Sequence, residues 1–490
     1  MKLLQSGGRA LLGRFAVALF ALLTLPRLLS HGMFVDGLVY AAISRNLAVG
    51  RGSMWQPYFS QTRDAAFFEH PPLAFWLQAL AYRLFGDTPR VEAFYGFFAG
   101  LLVLLGMWLI WRALRSSFVA SSLCAGETGS TGNRHSGAWL PITLFTVMPI
   151  TTWCFSNNML ENTMTVWTTF ALLMVIVGVR SQQGATQVVL GSVAGVLVMA
   201  AFLTKGPTGL FPLAAPLMAL VLHDVRRQAV LRFYLGMVAA MGGVIVLLGM
   251  WDAPQAAVVQ YLKQQVIASL AGQRANHTRL YIVAMLAGEL TYALVLCTLI
   301  WIVLRRQVRL TWTRQHTFLL LVALSASGPV LLSTKQNTWY VFQSLPVYAL
   351  LLGAVMSPAG VVLERLVEHA RVRGAVTVVT IVLVIAAVTG MFTERDKVRK
   401  HEAFFPDFVL QPLALPSGAV VAACPTKKVD YAMLANFARY FDISLDLTAA
   451  PAGNLYLAEL NSQCDVPPTC QRIHPPRPHA FELFDCRAVE

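Results

Sequence analysis

The sequence predicts a polytopic α-helical membrane protein of about eleven spanning helices, carrying a small α/β domain at its C-terminal end. Three observations predict it. Of its 490 residues 56% are hydrophobic and only 13% charged, where a soluble domain carries roughly twice that charged share. The apolar residues form unbroken runs near the ~20 residues that match a bilayer core. Arginines gather in alternate connecting loops, the bias that orients a membrane protein. The formal net charge of +14 is accordingly read as loop bias rather than as a nucleic-acid surface.

The apolar runs cover residues 15–29, 94–111, 139–155, 163–179, 188–203, 210–222, 233–251, 281–304, 318–332, 340–356 and 375–392. Lys2, Arg9 and Arg14 precede the first run as they would in a signal peptide. Pro26 and Arg27 interrupt its end and no small-residue cleavage site follows, so a retained anchor is expected. Further cations lie in the loops at Arg112 and Arg115, Arg180, Arg226 and Arg227, Arg305 and Arg306, and Arg371 and Arg373. Placed in the cytoplasm, they leave residues 31–93, 156–162, 252–280 and the tail outside the cytoplasm. Two domains follow: a membrane domain, 1–392, and an α/β domain outside the cytoplasm, 393–490.

In the tail, 419–423, 443–447 and 455–457 read as strands and 431–440 as a helix. Prolines near Pro467 and Pro475 break longer elements. Cys424, Cys464, Cys470 and Cys486 form an even set suited to an oxidising compartment. Three pairings are open to four cysteines, and the spacing does not choose among them.

Ionisable groups at a membrane edge are costly and each needs a reason. Asp36 and Tyr40 share one face of a short helix just after the first run. Two roles are open to Asp36: helix cap, or a carboxylate raised in pKa by apolar surroundings and able to take a proton from a hydroxyl. Glu69 and His70 precede Pro71 and Pro72, which fix the entry of an amphipathic helix suited to the interface. Glu161 opens the next span, where the helix dipole alone would favour it. Lys205 and Lys335 sit in outer turns, the latter close to Trp339 and Tyr340; snorkelling anchors and an aromatic belt are the plain readings. Arg274 and Arg279 lie in the outer loop before residue 281 and could grip a phosphate. The topology delivers Asp36, Glu69, His70, Glu161, Lys205 and Lys335 to one face of the membrane. Acids beside cations at a lipid–water boundary suit phosphate-lipid chemistry. Zinc-type ligand spacing, a phosphate-cradling glycine loop and a nucleophile elbow are not evident.

Five stretches are similar to the GT-C superfamily of membrane glycosyltransferases, in the bacterial branch related to protein O-mannosyltransferases and lipid A aminoarabinose transferase. They are the Asp36–Tyr40 region, EHPPLAFWLQALAYRLFG, LENTMTVW, LTKGPTGLFPL and STKQNTWYVFQSLPVYALLLG, in family order. The resemblance implies inverting transfer of a sugar from a polyprenyl-phosphate donor to a lipid, glycan or protein hydroxyl. It implies Asp36 as catalytic base. Tyr40, Glu69, His70, Glu161, Lys205, Arg274, Lys335 and Tyr340 then fall to substrate binding. The family often has a second acid directly after the first, and here that position is Gly37. No cofactor is implied, although a divalent metal stays open. The rival readings are a transporter or flippase of a lipid-linked sugar, expected to place charge at the bilayer midplane in repeated halves, and a non-catalytic scaffold displaying the tail.

Overall fold

The computed structural model describes residues 5–124, 136–273, 275–398, 415–424, 431–451, 453–459, 466–473 and 481–487. Among the described residues, nine helices are long and apolar enough to cross a membrane, from Gly7–Arg27 to Ala370–Thr393. The chain is an integral membrane protein.

Two of the expected spans, 139–155 and 210–222, are not among these nine, and prolines interrupt both. The run 139–155 splits into Trp139–Thr146 and Pro149–Phe155, because a proline within a helix removes a backbone donor and crowds the preceding turn. Most of both pieces is buried among the longer helices. The run 210–222 becomes a 3-10 turn, Pro207–Leu213, a single helical turn, Ala215–Met218, and a second 3-10 turn, Ala219–Val221. Pro207, Pro212 and Pro216 punctuate it.

Elsewhere small residues let helices approach backbone to backbone. A side chain at Gly191 or Gly195 would strike the carbonyls of Phe233 or Met237, and one at Gly236 would strike that of Val188. The helices Gly184–Lys205 and Arg227–Gly249 therefore depend on close contact, the usual solution where lipid removes the hydrophobic drive between helices.

The first loop folds as two helices, Val35–Ala48 and Leu73–Phe85. Tyr40, Ile43, Phe59, Phe67, Phe75 and Leu160 form a core beneath them, and Ala435 and Ala438 of the tail complete it. Glycine at 37 is required here, since any Cβ would collide with the carbonyl of Asn157.

The tail builds a five-stranded sheet from β1 (Val420–Ala423), β2 (Ser444–Asp446), β3 (Leu455–Glu459), β4 (Gln471–Arg472) and β5 (Phe481–Asp485), in the order β2-β1-β3-β5-β4. Strand β1 pairs parallel with β2 and β3, and β5 runs antiparallel to β3 and β4. The expected helix forms as Tyr431–Asn436 continued by a π turn, Phe437–Phe441; β4 and β5 had no clear signal. Cys470 is bonded to Cys486, and Cys424 is also disulfide-bonded. Cys464 lies outside the described residues. Asp446 and the loop after β2 bond locally, whereas the first loop reaches across: the Gln61 amide donates to Ser444 Oγ (2.9 Å) and Thr62 Oγ1 to the Leu445 carbonyl (2.7 Å).

Candidate active site

Asp36 occupies the first turn of the Val35–Ala48 helix. Phe34 stands at the N-cap and no side chain caps the helix, so the capping role falls away. The Phe34 amide instead donates to Asn157 Oδ1 (2.8 Å), which ties the helix start to the turn after Pro149–Phe155. Asp36 lines a polar cavity of about 190 Å³ together with Tyr40, Glu69, His70, Lys205, Lys335 and Tyr340. Burial pushes its carboxyl up to about 6; the ammonium groups of Lys205 and Lys335 oppose this, and the carboxylates of Glu161 and Glu69 reinforce it. A base poised near neutral pH is what proton abstraction from a hydroxyl needs. Tyr40 meets His70 edge to face at 5.6 Å between ring centres. Its phenol is pushed up, first by burial and then by Asp36, and stays neutral.

Lys205 ends its helix because Gly206 follows in a left-handed conformation (φ 88°) that suits glycine. A side chain at 206 would also collide with the Tyr261 hydroxyl, which donates to the Lys205 carbonyl at 3.1 Å. The backbone at Lys205 is thereby fixed. The Lys205 Nζ lies 2.5 Å from Glu161 Oε1 and 5.2 Å from the centre of the Tyr340 ring, a cation–π distance. Lys335 is placed by its loop: its Nζ donates to Gln265 Oε1 at 3.3 Å. Buried Gln336 pins that loop by donating to the carbonyls of Arg279 and Ser333 (2.9 Å each) and accepting from the Ile282 amide (2.9 Å).

A second, mainly apolar cavity of about 250 Å³ adjoins the first and shares Glu69, His70, Lys205, Lys335 and Tyr340 with it. Met164, Val266, Leu270, Pro329 and Leu332 line its walls, and Glu161 lies at its edge. A polar chamber thus opens into a greasy groove, with two lysines at the junction. That shape fits a ligand with a charged head and a hydrocarbon tail.

Of the residues singled out in the sequence, Asp36, Tyr40, Glu69, His70, Glu161, Lys205, Lys335 and Tyr340 come together here. Arg274 lies outside the described residues, and Arg279 is exposed. Tyr261, Gln265, Asn337 and Tyr431 join the cavities without having been picked out. The polar run Lys263–Gln264–Gln265 was the available signal for one of them. Tyr431 had none, because it reaches the chamber only through docking of the tail. Among the described residues no three His, Cys, Asp or Glu side chains gather closely enough to hold a metal ion, so no step is routed through one.

No family model matches the chain. It is 27% identical over 225 residues to the undecaprenyl phosphate-α-4-amino-4-deoxy-L-arabinose arabinosyl transferase of Yersinia pestis (strain Pestoides F), covering 45% of this chain and 35% of that one. The same-named protein of Yersinia enterocolitica is 25% identical over 249 residues, covering 50% and 40%. The matched region thus spans well under half the length of these relatives. The crystal structure of ArnT from Cupriavidus metallidurans bound to undecaprenyl phosphate superposes with a TM-score of 0.59 over 96% of this chain and 97% of that one, at 14% identity; its apo form gives 0.58. The chain shares the fold of that ArnT structure.

Proposed function

We propose that the chain is an inverting glycosyltransferase that moves a sugar from a polyprenyl-phosphate donor to a hydroxyl of a lipid, glycan or protein. The observation that carries this reading is the junction of the Asp36 chamber with the apolar groove, with Lys205 and Lys335 between them. The relatives named for an undecaprenyl-phosphate donor, and the solved neighbour holding undecaprenyl phosphate, support it.

The isoprenoid chain lies in the groove and the phosphate at the two lysines. Asp36 takes the proton of the acceptor hydroxyl as its oxygen attacks the anomeric carbon from the face opposite the phosphate. The bond from that carbon to the phosphate oxygen breaks, and its electron pair leaves with the polyprenyl phosphate. Lys205 and Lys335 stabilise the charge that grows there. Glu161 holds Lys205 in position, Tyr340 flanks it, and His70 and Tyr40 wall the sugar side. The first loop and the tail face the periplasm of a bacterial inner membrane and the N-terminus the cytoplasm, so that lipid-linked donors meet acceptors outside the cell. Residues 1–392 form the transferase domain and 393–490 the domain docked on it.

A flippase would carry its charges to the bilayer midplane; the gathering of acids and lysines in one chamber favours chemistry over transport. Purified protein given a polyprenyl-phosphate sugar should release polyprenyl phosphate, and mass spectrometry of envelope lipids and glycans from cells with and without the protein should reveal the modified acceptor. Identical profiles from the two cell lines would end the reading.

A further inference from the structure

The tail contributes a residue to the chamber. Tyr431, the first residue of its helix, lines the polar cavity with Asp36, Glu69 and His70. It is absent from the lining of the adjoining apolar groove. Tyr431 thus belongs to the chamber that holds Asp36 and not to the apolar groove.

Its position is fixed from several directions. The Arg63 guanidinium sits over its ring, 4.7 Å from the centre, and Phe59 packs on it at 6.1 Å. Behind it the tail is anchored through buried charge. Arg439 donates to Glu92 Oε1 (3.0 Å) and to Asp87 Oδ1 (2.9 Å), and Arg45 pairs with Asp442 (2.9 Å). These contacts hold Tyr431 at the chamber wall. Burial, together with Asp64 and Glu69, pushes its phenol up, so the ring presents a neutral hydroxyl and an aromatic face.

We infer that Tyr431, backed by Arg63, is an acceptor-side positioning residue that holds the incoming hydroxyl group's carrier against Asp36. This rests on the transfer reading above. The groove and lysines take the donor, and the chamber wall that lines no part of the groove is left for the acceptor. An aromatic face with a hydroxyl at its edge suits the ring of a sugar or similar carrier. The tail would then decide which hydroxyl is used, while the membrane helices decide which donor is used.

The test uses the full chain in lipid nanodiscs with a short-chain polyprenyl-phosphate sugar. Donor consumption is followed with water as the only acceptor, and again with a solubilised envelope extract of the producing cells. Tyr431→Ala should affect the donor KM and the slow transfer to water far less than it affects transfer to the extract. It should lower extract-dependent transfer roughly tenfold at limiting extract, recovering as extract is raised. Tyr431→Phe should restore most of that transfer, and Arg63→Gln should weaken it to a smaller degree. Equal loss of hydrolysis and transfer in Tyr431→Ala, or no change in either, overturns the assignment. Failure of the unsubstituted protein to consume donor under both conditions would overturn the transfer reading itself, and this inference with it.

Discussion

The Lys205 ammonium lies 2.5 Å from the Glu161 carboxylate, with both side chains almost entirely withdrawn from solvent. Two helices that are consecutive in the chain, Leu160–Gly178 and Gly184–Lys205, supply the pair from one shared end. Breaking such a pair by removing one partner leaves a buried charge uncompensated, a cost of about 3–5 kcal/mol. Glu161→Ala should therefore lower the thermal midpoint of the purified protein and abolish donor turnover. Glu161→Gln keeps a hydrogen-bond acceptor for the lysine and should recover much of the stability. Thermal unfolding of both variants in detergent checks the order; an unchanged midpoint in Glu161→Ala would argue that the pair is not closed in the membrane.

Asp36 sets the pH dependence. Its carboxyl is raised to about 6, chiefly by burial, and it acts as base only when ionised. Above that value the active form dominates and the rate levels off. Below it the ionised fraction, and with it the rate, falls about tenfold per pH unit. Asp36→Asn should lower turnover by roughly 10²–10⁴-fold, the usual share of a positioned base, while the protein still inserts and unfolds normally. Turnover measured from pH 5 to 8 should bend near 6 in the unsubstituted protein, and residual turnover of Asp36→Asn should not bend there.

Much of this site was legible because membrane topology is a strong constraint. Apolar runs and arginine bias bring Asp36, Glu69, Glu161, Lys205 and Lys335 to one face before any coordinates exist, since each span reverses the side on which the next loop lies. Among the described residues the eleven expected spans became nine long helices and two proline-broken segments, because hydropathy does not register the donor that Pro149 or Pro212 removes. Tyr261 escaped notice for a different reason: its contact with Lys205 depends on the turn at Gly206, and helix periodicity carries no information about it. The docking of the tail was equally invisible. Arg439 and Glu92 are 347 positions apart, and nothing in their local sequence indicates that they meet.

Gly37 stands where the GT-C pattern often has a second acid. The Val35–Ala48 helix runs directly against the carbonyl of Asn157, so any side chain at 37 must displace backbone. In addition Asn158 Nδ2 donates to the Gly37 carbonyl at 3.1 Å. Gly37→Asp should therefore not restore a paired-acid function. It should cost stability in the range of about 1–3 kcal/mol seen for overpacked sites, and it should tilt Asp36 away from the lysines. Gly37→Ala should show the same direction with a smaller loss. Comparing yield, thermal midpoint and donor turnover of the two variants tests this, and a Gly37→Asp protein with unaltered stability would refute the packing account.

Arg439 ties the tail to the membrane domain through a buried ion pair. Its guanidinium spans Glu92 and Asp87, with Glu92 fully buried and further bonded to the Tyr82 hydroxyl at 2.6 Å. Replacing it with alanine strands the Glu92 carboxylate in an apolar setting, at a cost of about 3–5 kcal/mol. The loss falls on docking before it falls on the helices, because the tail keeps its own core of Val421, Phe437, Leu445, Leu457 and Leu483. Arg439→Ala should therefore make the chain more susceptible to limited proteolysis between the last membrane helix and the sheet while the membrane domain stays folded. Arg439→Met with Glu92→Gln removes both charges together and should recover much of the protection. Release of the tail by protease at equal rates in the single variant and the unsubstituted protein would show that other contacts, such as Arg45 and Arg51 on Asp442, hold the tail alone.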